Sequence, residues 1–508
     1  MEGTAVDTDT DVVIVGAGPT GLMLAGELRL GGARVIVAEQ LAEPTGQSRG
    51  LGFTARAMEV FDQRGLLPRF GQGDTLETSP MGHFGGVQFD YTVLEDAHFG
   101  ARGIPQSKTE AVLTEWALSL GVEIRRGWDF RELHEGFLDG DRVTVTLSTP
   151  EGERQLSAAY LVGCDGGASP VRKAAGFEFP GTPATRTMYL ADVTGCGLRP
   201  RFLGERLNNG MVMAAPLAEG VDRIIVCPDG TPARDRAEAI SFEEVADAWQ
   251  HITGEDIHGG GAEWVSSFTD ATRQASEYRR GRVLLAGDAA HIHLPAGGQG
   301  LSTGVQDAAN LGWKLAAVIR GGAPEGLLDS YHGERHPAGA RLLMNTRAQG
   351  TIFLGGEESD PLRELFGELI RYDDVKRHLA GIISGLDVRY EVGVGDHPLL
   401  GRRIGHRRLV GAAGDTSTTE LLHPARGVLI DLTDDPGLRA VAGGWQDRVT
   451  VATAVPKPAD GTDPLAGTSA VLVRPDGYVA WAGDGTDGLA DALDQWFGAP
   501  AASQQPTG

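Results

Sequence analysis

The stretch that decides the fold is Val12-Val-Ile-Val-Gly16-Ala-Gly18-Pro-Thr-Gly21, close to the start of a chain of 508 residues. Its first four residues form a continuous apolar run, which is typical of a strand buried on both faces of a parallel sheet. A helical pattern follows from about Pro19 to Leu30, and Arg34-Val-Ile-Val-Ala-Glu39 has the character of a second strand. The sequence therefore predicts a βαβ unit and an α/β fold.

The three glycines of this stretch have the spacing of a dinucleotide-binding loop. Gly16 permits a tight strand-to-helix turn, Gly18 lets the backbone approach a pyrophosphate, and Gly21 allows the helix and the strand to pack closely. The helix then directs free N–H groups and its positive dipole end at the phosphates. Glu39 lies 18 residues after Gly21, at the end of the second strand, where a carboxylate is placed to accept hydrogen bonds from ribose hydroxyls.

Two later segments repeat the apolar run that ends in small residues and an aspartate. They are Tyr160-Leu-Val-Gly-Cys-Asp165-Gly166 and Arg282-Val-Leu-Leu-Ala-Gly287-Asp288. In the second segment, a strand would deliver Asp288 to the cofactor crevice, where its carboxylate can hold a sugar-alcohol hydroxyl. The stretch Pro295-Ala-Gly-Gly-Gln-Gly300-Leu301-Ser302 then runs into a helix. Its glycines, Gly300 among them, allow backbone contact with a flat ring, and the helix N-terminus supplies positive potential there.

The pattern between these two segments changes. From Thr187 to Ser267 apolar and polar residues alternate, as in Met211-Val-Met-Ala-Ala, which predicts antiparallel strands. We therefore expect a nucleotide-binding domain at residues 1–175 and 268–395, interrupted by a sheet-rich substrate domain at 176–267. Helices are predicted from 303 to about 350, with breaks at Gly321-Gly322 and near Pro337.

The last part of the chain has its own strand and helix patterns. Strands are predicted at Gly427–Leu432, Val449–Thr453 and Ala470–Arg474, and a helix at Gly488–Phe497. These elements predict a third domain at 396–497. The small, polar residues 498–508 are expected to form a flexible tail.

The composition excludes several classes of function. The formal net charge of −24 disfavours nucleic acid and anionic membranes as partners, and no apolar run approaches the roughly 20 residues of a membrane span. The N-terminal residues have no signal-peptide pattern, so we expect a cytoplasmic protein. The three cysteines, Cys164, Cys196 and Cys227, suit neither a disulfide framework nor a zinc site, and no metal site is predicted.

The order and spacing of the three motifs resemble the fingerprints of the class A flavoprotein aromatic monooxygenases, typified by p-hydroxybenzoate hydroxylase and phenol hydroxylase. The resemblance covers about residues 10–350. The segments Arg49-Gly-Leu-Gly-Phe-Thr-Ala-Arg56 and Arg474-Pro-Asp-Gly-Tyr-Val-Ala-Trp481 are similar to the branch of aromatic polyketide hydroxylases that acts on angucyclines, anthracyclines and tetracyclines. The resemblance implies a Rossmann-like FAD-binding domain, an inserted β-sheet substrate domain and a thioredoxin-like C-terminal domain. Because that last domain has no cysteine, we expect a structural or interface role for it.

The resemblance also implies roles for polar residues around the cofactor. Arg49 would contact the FAD diphosphate or the adenosine side, and Gln106 would hold the ribityl region. Asp288 would bind the ribityl chain or the pyrophosphate. Asp165 would lie between the FAD and the nicotinamide sites.

Further implied roles concern the flavin ring. The backbone N–H groups of Leu301 and Ser302 would face the flavin pyrimidine, although many relatives carry Asn in place of Ser302. Pro295 would lie beside the flavin where the C4a-hydroperoxide forms. Pro295 and His293 are therefore the candidate catalytic residues, whereas the neighbouring His291 is expected to be structural.

The activity that follows is an NADPH-using, FAD-dependent monooxygenase that hydroxylates an aromatic polyketide with O₂ through a C4a-hydroperoxyflavin. Met211, Met213 and Pro216, with Pro295, are candidate substrate contacts, because apolar and adaptable side chains suit a flat polycyclic ring; packing of the sheet core is an equal alternative. Baeyer–Villiger oxygen insertion, a flavin oxidase or dehydrogenase, and a flavin-binding scaffold without turnover stay open. So do NADH in place of NADPH, and a monomer or a homodimer.

Overall fold

The computed structural model of the protein describes residues 6–7, 10–71, 81–94, 97–234, 238–393, 395–412, 414–457, 465 and 467–501. The described strands form five sheets of three or more strands and two further pairs. Within these residues, no helix combines the length and the apolar character of a membrane span.

The first part of the chain alternates strands with helices. Its strands are β1 (Val6–Asp7), β2 (Val12–Val15), β3 (Val35–Glu39), β4 (Gly52–Phe53), β5 (Met81–Phe84), β6 (Val87–Asp90), β7 (Arg102–Gly103), β8 (Glu123–Arg126), β9 (Asp129–Leu133), β10 (Val143–Thr149), β11 (Gly152–Ala158) and β12 (Tyr160–Gly163). Its helices are α1 (Pro19–Leu30), α2 (Ala55–Asp62), α3 (Gln106–Ser119) and α4 (Pro170–Ala174), with 3-10 turns at Leu67–Phe70 and Tyr91–Val93.

The middle part is rich in strands and ends in four helices. Its strands are β13 (Gly181–Thr182), β14 (Thr187–Thr194), β15 (Arg201–Leu207), β16 (Gly210–Ala218), β17 (Val221–Pro228), β18 (Gly261–Thr269), β19 (Thr272–Gln274), β20 (Arg279–Arg280), β21 (Val283–Leu285) and β22 (His291–Ile292). Its helices are α5 (Phe242–Thr253), α6 (Gln299–Ile319), α7 (Asp329–Leu354), α8 (Asp360–Leu369) and α9 (Asp373–Ser384), with 3-10 turns at Gly287–Ala289, Ala296–Gly298 and Glu357–Ser359.

The last part is a compact α/β unit. It contains β23 (Arg408–Gly411), β24 (Gly414–Ser417), β25 (Gly427–Asp431), α10 (Pro436–Ala442), β26 (Val449–Pro456), β27 (Ala470–Val473), β28 (Val479–Gly483) and α11 (Leu489–Phe497), with 3-10 turns at Glu420–Leu422 and Gly443–Trp445. Its sheet has the order β24-β23-β26-β25-β27-β28. Strands β25 and β26 are parallel, and β27 and β28 run antiparallel to their neighbours.

The central sheet confirms the predicted βαβ unit. Its order is β20-β21-β12-β2-β3-β8, and all neighbours except β20 and β21 are parallel. Val12, Ile14 and Leu161 have no exposed surface, as expected for strands covered on both faces. The three motifs lie at the carboxyl ends of β2, β12 and β21, so the sheet brings them to one edge.

The predicted antiparallel insertion is also present. Its sheet has the order β15-β16-β17-β14-β18. Helix α5 covers one face, where Trp249 packs against Val212 and Ile224. The opposite face carries Met188 and Met211, which pack against residues of the middle part of the chain. A second sheet, of order β1-β11-β10-β9, was not anticipated from the sequence.

The predicted helix break near Pro337 is wrong. Helix α7 continues through Pro337 from Asp329 to Leu354. Proline removes one hydrogen bond, to the carbonyl of Gly333 one turn earlier, and both residues lie on the exposed side of the helix, where water can satisfy that carbonyl. The predicted break at Gly321-Gly322 is present, because α6 ends at Ile319 and α7 begins at Asp329.

A buried ion pair and a buried arginine that donates to a backbone carbonyl join the C-terminal unit to the rest of the molecule. Arg474 donates to both carboxylate oxygens of Glu334 on α7, at 2.6 and 2.8 Å. Arg64 pairs with Glu27 of α1 at 2.6 Å and also donates to the carbonyl of Pro475 at 2.8 Å. All four charged side chains are at most 5% exposed.

The predicted flexible tail begins with residues that are held in place. Trp445 donates its indole N–H to the carbonyl of Gly498 at 2.6 Å, and the N–H of Ala501 donates to Gly444 at 2.7 Å. Residues 502–508 of the predicted tail lie outside the described residues.

Candidate functional site

The glycine-rich loop between β2 and α1 gives each glycine a different environment. Gly16 has φ +106°, and a Cβ there would lie 2.5 Å from the carbonyl oxygen of Cys164. A Cβ on Gly21 would lie 2.0 Å from the carbonyl oxygen of Gly16. A Cβ on Gly18 would meet no atom within 4 Å. The loop is therefore closed on the protein side at Gly16 and Gly21 and open to a ligand at Gly18.

The carboxylate of Glu39 is fixed beside this loop. It accepts the N–H of Ala17 at 2.7 Å and the N–H of Leu41 at 2.9 Å. These two bonds orient the carboxylate at the carboxyl end of β3, next to the uncapped N-terminus of α1. The predicted ribose-binding position of Glu39 is compatible with this geometry.

Asp288 and Arg49, both predicted cofactor ligands, have charged groups without a partner among the described residues. Asp288 is exposed in the 3-10 turn that follows β21, and Arg49 is exposed in the segment before β4. Neither side chain forms a hydrogen bond or an ion pair with another described residue. Asp307 holds the turn itself, because it accepts the N–H of Gly287 at 3.1 Å. Both charges are thus available to a ligand.

Residues distant in sequence converge near Gly50. The side-chain oxygen of Gln106, at the start of α3, accepts the N–H of Gly50 at 3.3 Å. The side-chain nitrogen of Gln106 donates to Glu110 at 2.8 Å. A Cβ on Gly50 would lie 2.3 Å from a methyl carbon of Leu301. The segment after Arg49, the start of α3 and the first turn of α6 therefore form one wall.

Asp165 is engaged by the protein. Its carboxylate accepts the hydroxyl of Ser169 at 2.6 Å and the N–H of Val171 at 3.0 Å, at the start of α4. Burial raises the pKa of Asp165 despite these bonds. Arg172 donates to the carbonyl of Ala289 at 2.8 Å, which links this turn to the turn that holds Asp288. The geometry gives Asp165 a structural task, and its contact with a cofactor stays a prediction.

The loop Pro295–Gly300 leads into α6 and is called the flavin loop below, after the role that the resemblance implies for it. Gly297 and Gly298 have φ of +69° and +65°, a backbone conformation that only glycine adopts without strain. Pro295 is exposed at the start of the loop. Ser302 is buried, and its hydroxyl oxygen accepts the N–H of Thr54 at 2.9 Å. The Ser302 hydroxyl is therefore already engaged within the protein. The backbone N–H groups of Leu301 and Ser302 are the groups that this turn presents to a ligand.

The two histidines before this loop differ. His291 is buried and donates from Nε2 to Asp307 at 2.8 Å, while Arg335 donates to the other oxygen of Asp307 at 2.7 Å. His293 donates from Nδ1 to the carbonyl of Leu294 at 2.7 Å, which leaves its Nε2 as an acceptor. That Nε2 lies 3.5 Å from the Cβ position of Gly300. Burial lowers the pKa of His293, which favours the neutral form of the ring beside the flavin loop.

The predicted substrate contacts divide into two groups. Met211 is 8% exposed and packs with Leu294 and Leu354, next to the flavin loop. Met213 is half-buried on the same face of β16. Pro216 does not share this face, and its contact with a substrate stays a prediction. Side chains alternate along a strand, so Pro216 shares the face of Val212 that α5 covers, and it is exposed there.

The sequence analysis did not predict a second wall of the candidate site, which is formed by the β5–β6 hairpin and the end of α7. The ring of His83 lies 5.8 Å from that of Phe353, and a Cβ on Gly86 would lie 2.7 Å from Phe353. A Cβ on Gly204 of β15 would lie 2.5 Å from the same ring. The hairpin had a usable signal, because Gly85-Gly86 separates two short strand-like runs.

A cavity of about 450 Å³ lies on another side of α6. Its lining includes Gln306, Arg335, Ile383 and Tyr390, and of the predicted cofactor ligands it includes Ser302. The motif glycines and Asp288 do not line it, so this cavity is distinct from the crevice that the three motifs form.

Comparison with known proteins identifies the family. The family described as FAD binding domain matches residues 9–346, and the family described as aromatic-ring hydroxylase, C-terminal, matches residues 397–500. Together the two matches cover most of the chain.

Relatives of known name are similar over their full length. The chain is 46% identical to 12-dehydrotetracycline 5-monooxygenase/anhydrotetracycline 6-monooxygenase of Streptomyces rimosus, covering 97% of this chain and 99% of that protein. It is 44% identical to rifampicin monooxygenase of Streptomyces venezuelae, with the same coverage. The crystal structure of CabE, an aromatic hydroxylase from angucycline biosynthesis, is 61% identical, with a TM-score of 0.93 over 97% of this chain and 100% of that one. The chain therefore belongs to the class A flavoprotein aromatic hydroxylases and is an FAD-dependent monooxygenase.

Proposed function

We propose that the protein uses NADPH and O₂ to hydroxylate an aromatic polyketide of the angucycline, anthracycline or tetracycline type. The names of its relatives support this substrate class, because they include tetracycline and rifampicin monooxygenases and a hydroxylase from angucycline biosynthesis. The observation that carries the proposal is the apolar cluster that contains Met211 and Leu294, with Ala296 of the flavin loop packed against it. It places an apolar sheet face beside the flavin loop, which suits a flat polycyclic substrate.

The residues of the crevice fit FAD. The open approach at Gly18 and the uncapped start of α1 would hold the pyrophosphate, and Glu39 would accept the ribose hydroxyls. Asp288 and Arg49, both exposed, would hold the ribityl chain and the diphosphate or adenosine side. Gln106 lies beside Gly50 and would hold the ribityl region.

When bound, FAD supplies the transfer of electrons from NADPH and the activation of O₂. The N-terminal end of α6 contributes positive potential, which stabilises negative charge on the pyrimidine side of a ring held there. With Nδ1 donating to the carbonyl of Leu294, a neutral His293 would offer Nε2 as an acceptor next to Gly300. The five-stranded sheet places Met211 in an apolar cluster with Leu294, against which Ala296 of the flavin loop packs, and this apolar side would exclude water from the reacting ring.

For the C-terminal unit we infer a thioredoxin-like topology and a docking role. The topology is supported by the parallel pair β25 and β26, followed by antiparallel β27 and β28 and a final helix. Cys164, Cys196 and Cys227 all precede this unit, so it has no thiol for redox chemistry. Its buried ion pairs, Arg474 with Glu334 of α7 and Arg403 with Glu59 of α2, support a role in fixing the FAD-binding part.

The test is NADPH oxidation by the FAD-loaded protein with a panel of angucyclinones, anthracyclinones and anhydrotetracyclines. We expect at least one of them to accelerate NADPH oxidation and to gain a phenolic hydroxyl. Acceleration with peroxide equal to the NADPH consumed and an unchanged polyketide would indicate an oxidase, and a lactone product would indicate Baeyer–Villiger insertion. No acceleration by any member of the panel would exclude the proposed substrate class.

A further inference from the structure

Three side-chain amides form a continuous chain of hydrogen bonds in the interior. Gln349 accepts the N–H of Gly85 at 3.3 Å and donates to the side-chain oxygen of Asn345 at 3.1 Å. Asn345 donates to the side-chain oxygen of Gln299 at 3.0 Å, and Gln299 donates to the carbonyl of Ala296 at 3.2 Å. Every amide is an acceptor toward Gly85 and a donor toward Ala296, so all the bonds run in one direction.

The two ends of this amide chain belong to different walls of the site. Gly85 lies at the tip of the β5–β6 hairpin, and Ala296 lies in the flavin loop. The middle of the chain also contacts the loop. A Cβ on Gly297 would lie 3.1 Å from the side-chain nitrogen of Gln299 and 3.6 Å from that of Gln349. The amides therefore border the left-handed turn from which α6 starts.

Burial makes the amide chain cooperative. Gln349, Asn345 and Gln299 are 0%, 1% and 3% exposed. If one amide rotates, it presents a donor to a donor on one side and an acceptor to an acceptor on the other, and water is not at hand to replace the lost bonds. Phe353, one turn after Gln349 on α7, packs on the hairpin at Gly86, so the same face of α7 supports the hairpin.

We propose that Asn345 and Gln349 are positioning residues that tie the flavin loop to the β5–β6 hairpin. Because the amide bonds depend on one another, the arrangement of the flavin loop then depends on the seating of the hairpin. A substrate that contacts the hairpin would thereby adjust the surroundings of the flavin; this last step rests on the proposed function. Neither residue need touch the substrate or the reacting atoms.

The test is hydrogen exchange of the FAD-loaded protein, followed by mass spectrometry, without substrate. Gln349→Met removes both bonds of the amide next to the hairpin, and we expect exchange about tenfold faster in the hairpin (81–90) and in the flavin loop (295–300), the effect of roughly one net hydrogen bond. Asn345→Leu leaves the bond between Gly85 and Gln349 in place, so we expect faster exchange in the flavin loop alone. Gln250→Met, on the exposed face of α5, is the matched control with unchanged exchange.

A second readout is the visible circular dichroism of the bound flavin, which a structural role remote from the ring would not change. We expect Gln349→Met and Gln299→Leu to change it similarly, and the double variant to add little, because both interrupt one chain. The proposal would be overturned by wild-type exchange in the flavin loop of both Gln349→Met and Asn345→Leu. Additive spectral changes in the double variant of Gln349→Met and Gln299→Leu would overturn it as well. If either Gln349→Met or Asn345→Leu does not fold, exchange in the flavin loop of the other variant decides alone. Because no substrate is used, a negative result is distinct from failure of the proposed function.

Discussion

Gly16 and Gly18 belong to one loop, but a methyl group would have opposite consequences at the two positions. At Gly16 the added carbon would lie 2.5 Å from the carbonyl oxygen of Cys164, in a conformation with φ +106°. At Gly18 it would meet no protein atom, and the backbone is extended. We expect Gly16→Ala to destabilise the apoprotein by at least about 1–3 kcal/mol. Gly18→Ala should leave its stability within about 0.5 kcal/mol and weaken FAD binding.

Denaturant unfolding of the apoprotein and titration with FAD measure these two effects separately. Wild-type FAD affinity in a folded Gly18→Ala variant would show that the pyrophosphate does not approach at this position.

The exposed charges of Asp288 and Arg49 give a second prediction. Each has no partner among the described residues, so replacement by Ala should not affect folding. Loss of a hydrogen bond to a charged or polyhydroxylated group costs about 1.5–3 kcal/mol, or roughly a 10- to 100-fold loss of FAD affinity. Asp491→Ala and Arg371→Ala are controls at exposed positions away from the crevice. Flavin retention on dilution is the measurement, and unchanged retention in both test variants would refute the assignment.

For individual residues, backbone requirements were easier to predict from the sequence than side-chain partners. The distinct tasks of Gly16, Gly18 and Gly21 follow from their spacing, because a strand-loop-helix turn allows few geometries. The engagement of Ser302 by Thr54 could not be predicted, because it joins residues 248 positions apart. The contact depends on how α6 packs against α2.

At the level of secondary-structure elements, strand β16 gives a prediction about two methionines on one of its faces. Met211 is fully packed, whereas Met213 is half-buried on the same face, so the two residues should not behave alike. We expect Met211→Glu to destabilise the protein, because it buries a carboxylate. Met213→Glu should retain FAD but lose at least about tenfold of the substrate-stimulated NADPH oxidation. Pro216→Glu, on the opposite face, is the control.

FAD content and stimulated NADPH oxidation are measured for all three variants. If Met213→Glu retains full stimulation, the substrate lies against another wall, and the hairpin with His83 becomes the next candidate.

Helix α7 shows why a local sequence signal, here a proline, can predict the end of a helix wrongly. Proline predicts a break, but the orphan carbonyl at Gly333 faces solvent and the flanking residues are fixed by buried bonds. Arg335 before the proline and Asn345 after it are both in such bonds. Tertiary contacts thus outweigh the local preference.

For the whole molecule, the docking of the C-terminal unit depends on Glu334. Burial opposes ionisation of this carboxyl, but the charges of Arg474 and Lys314 outweigh burial and lower its pKa to about 2. Since the ordinary value is 4.5, the group adds stability that is present above pH 4.5 and is lost as the pH falls toward about 2. We expect Glu334→Gln to cost about 3–5 kcal/mol at neutral pH, because the buried Lys314 loses its ion pair with Glu334 and Arg474 retains only its pair with Asp476.

Thermal unfolding at several pH values checks this prediction. The difference in Tm between wild type and Glu334→Gln should narrow as the pH falls below 4.5. Asp374→Asn, which removes a solvent-exposed pair with Arg377, is the control and should cost less than about 1 kcal/mol. A difference in Tm that does not depend on pH would show that Glu334 is not ionised in the folded protein.

The architecture of the whole chain was largely predictable, because a change from continuous to alternating apolar runs marks the inserted sheet. The strands at Gly427–Asp431 and Ala470–Val473 were located for the same reason. The pairing of Arg474 with Glu334 was not predictable, since both are single charges 140 positions apart. Docking between units depends on such long-range pairs.

The proposed reaction transfers one oxygen atom of O₂ to an aromatic polyketide while NADPH is oxidised. The most direct measurement is turnover under ¹⁸O₂ with a polyketide that accelerates NADPH oxidation, followed by mass spectrometry of the product. We predict one ¹⁸O atom in a new phenolic hydroxyl, and none when the label is supplied as H₂¹⁸O. A product hydroxyl labelled from water, or NADPH oxidation that yields only labelled peroxide, would contradict the account.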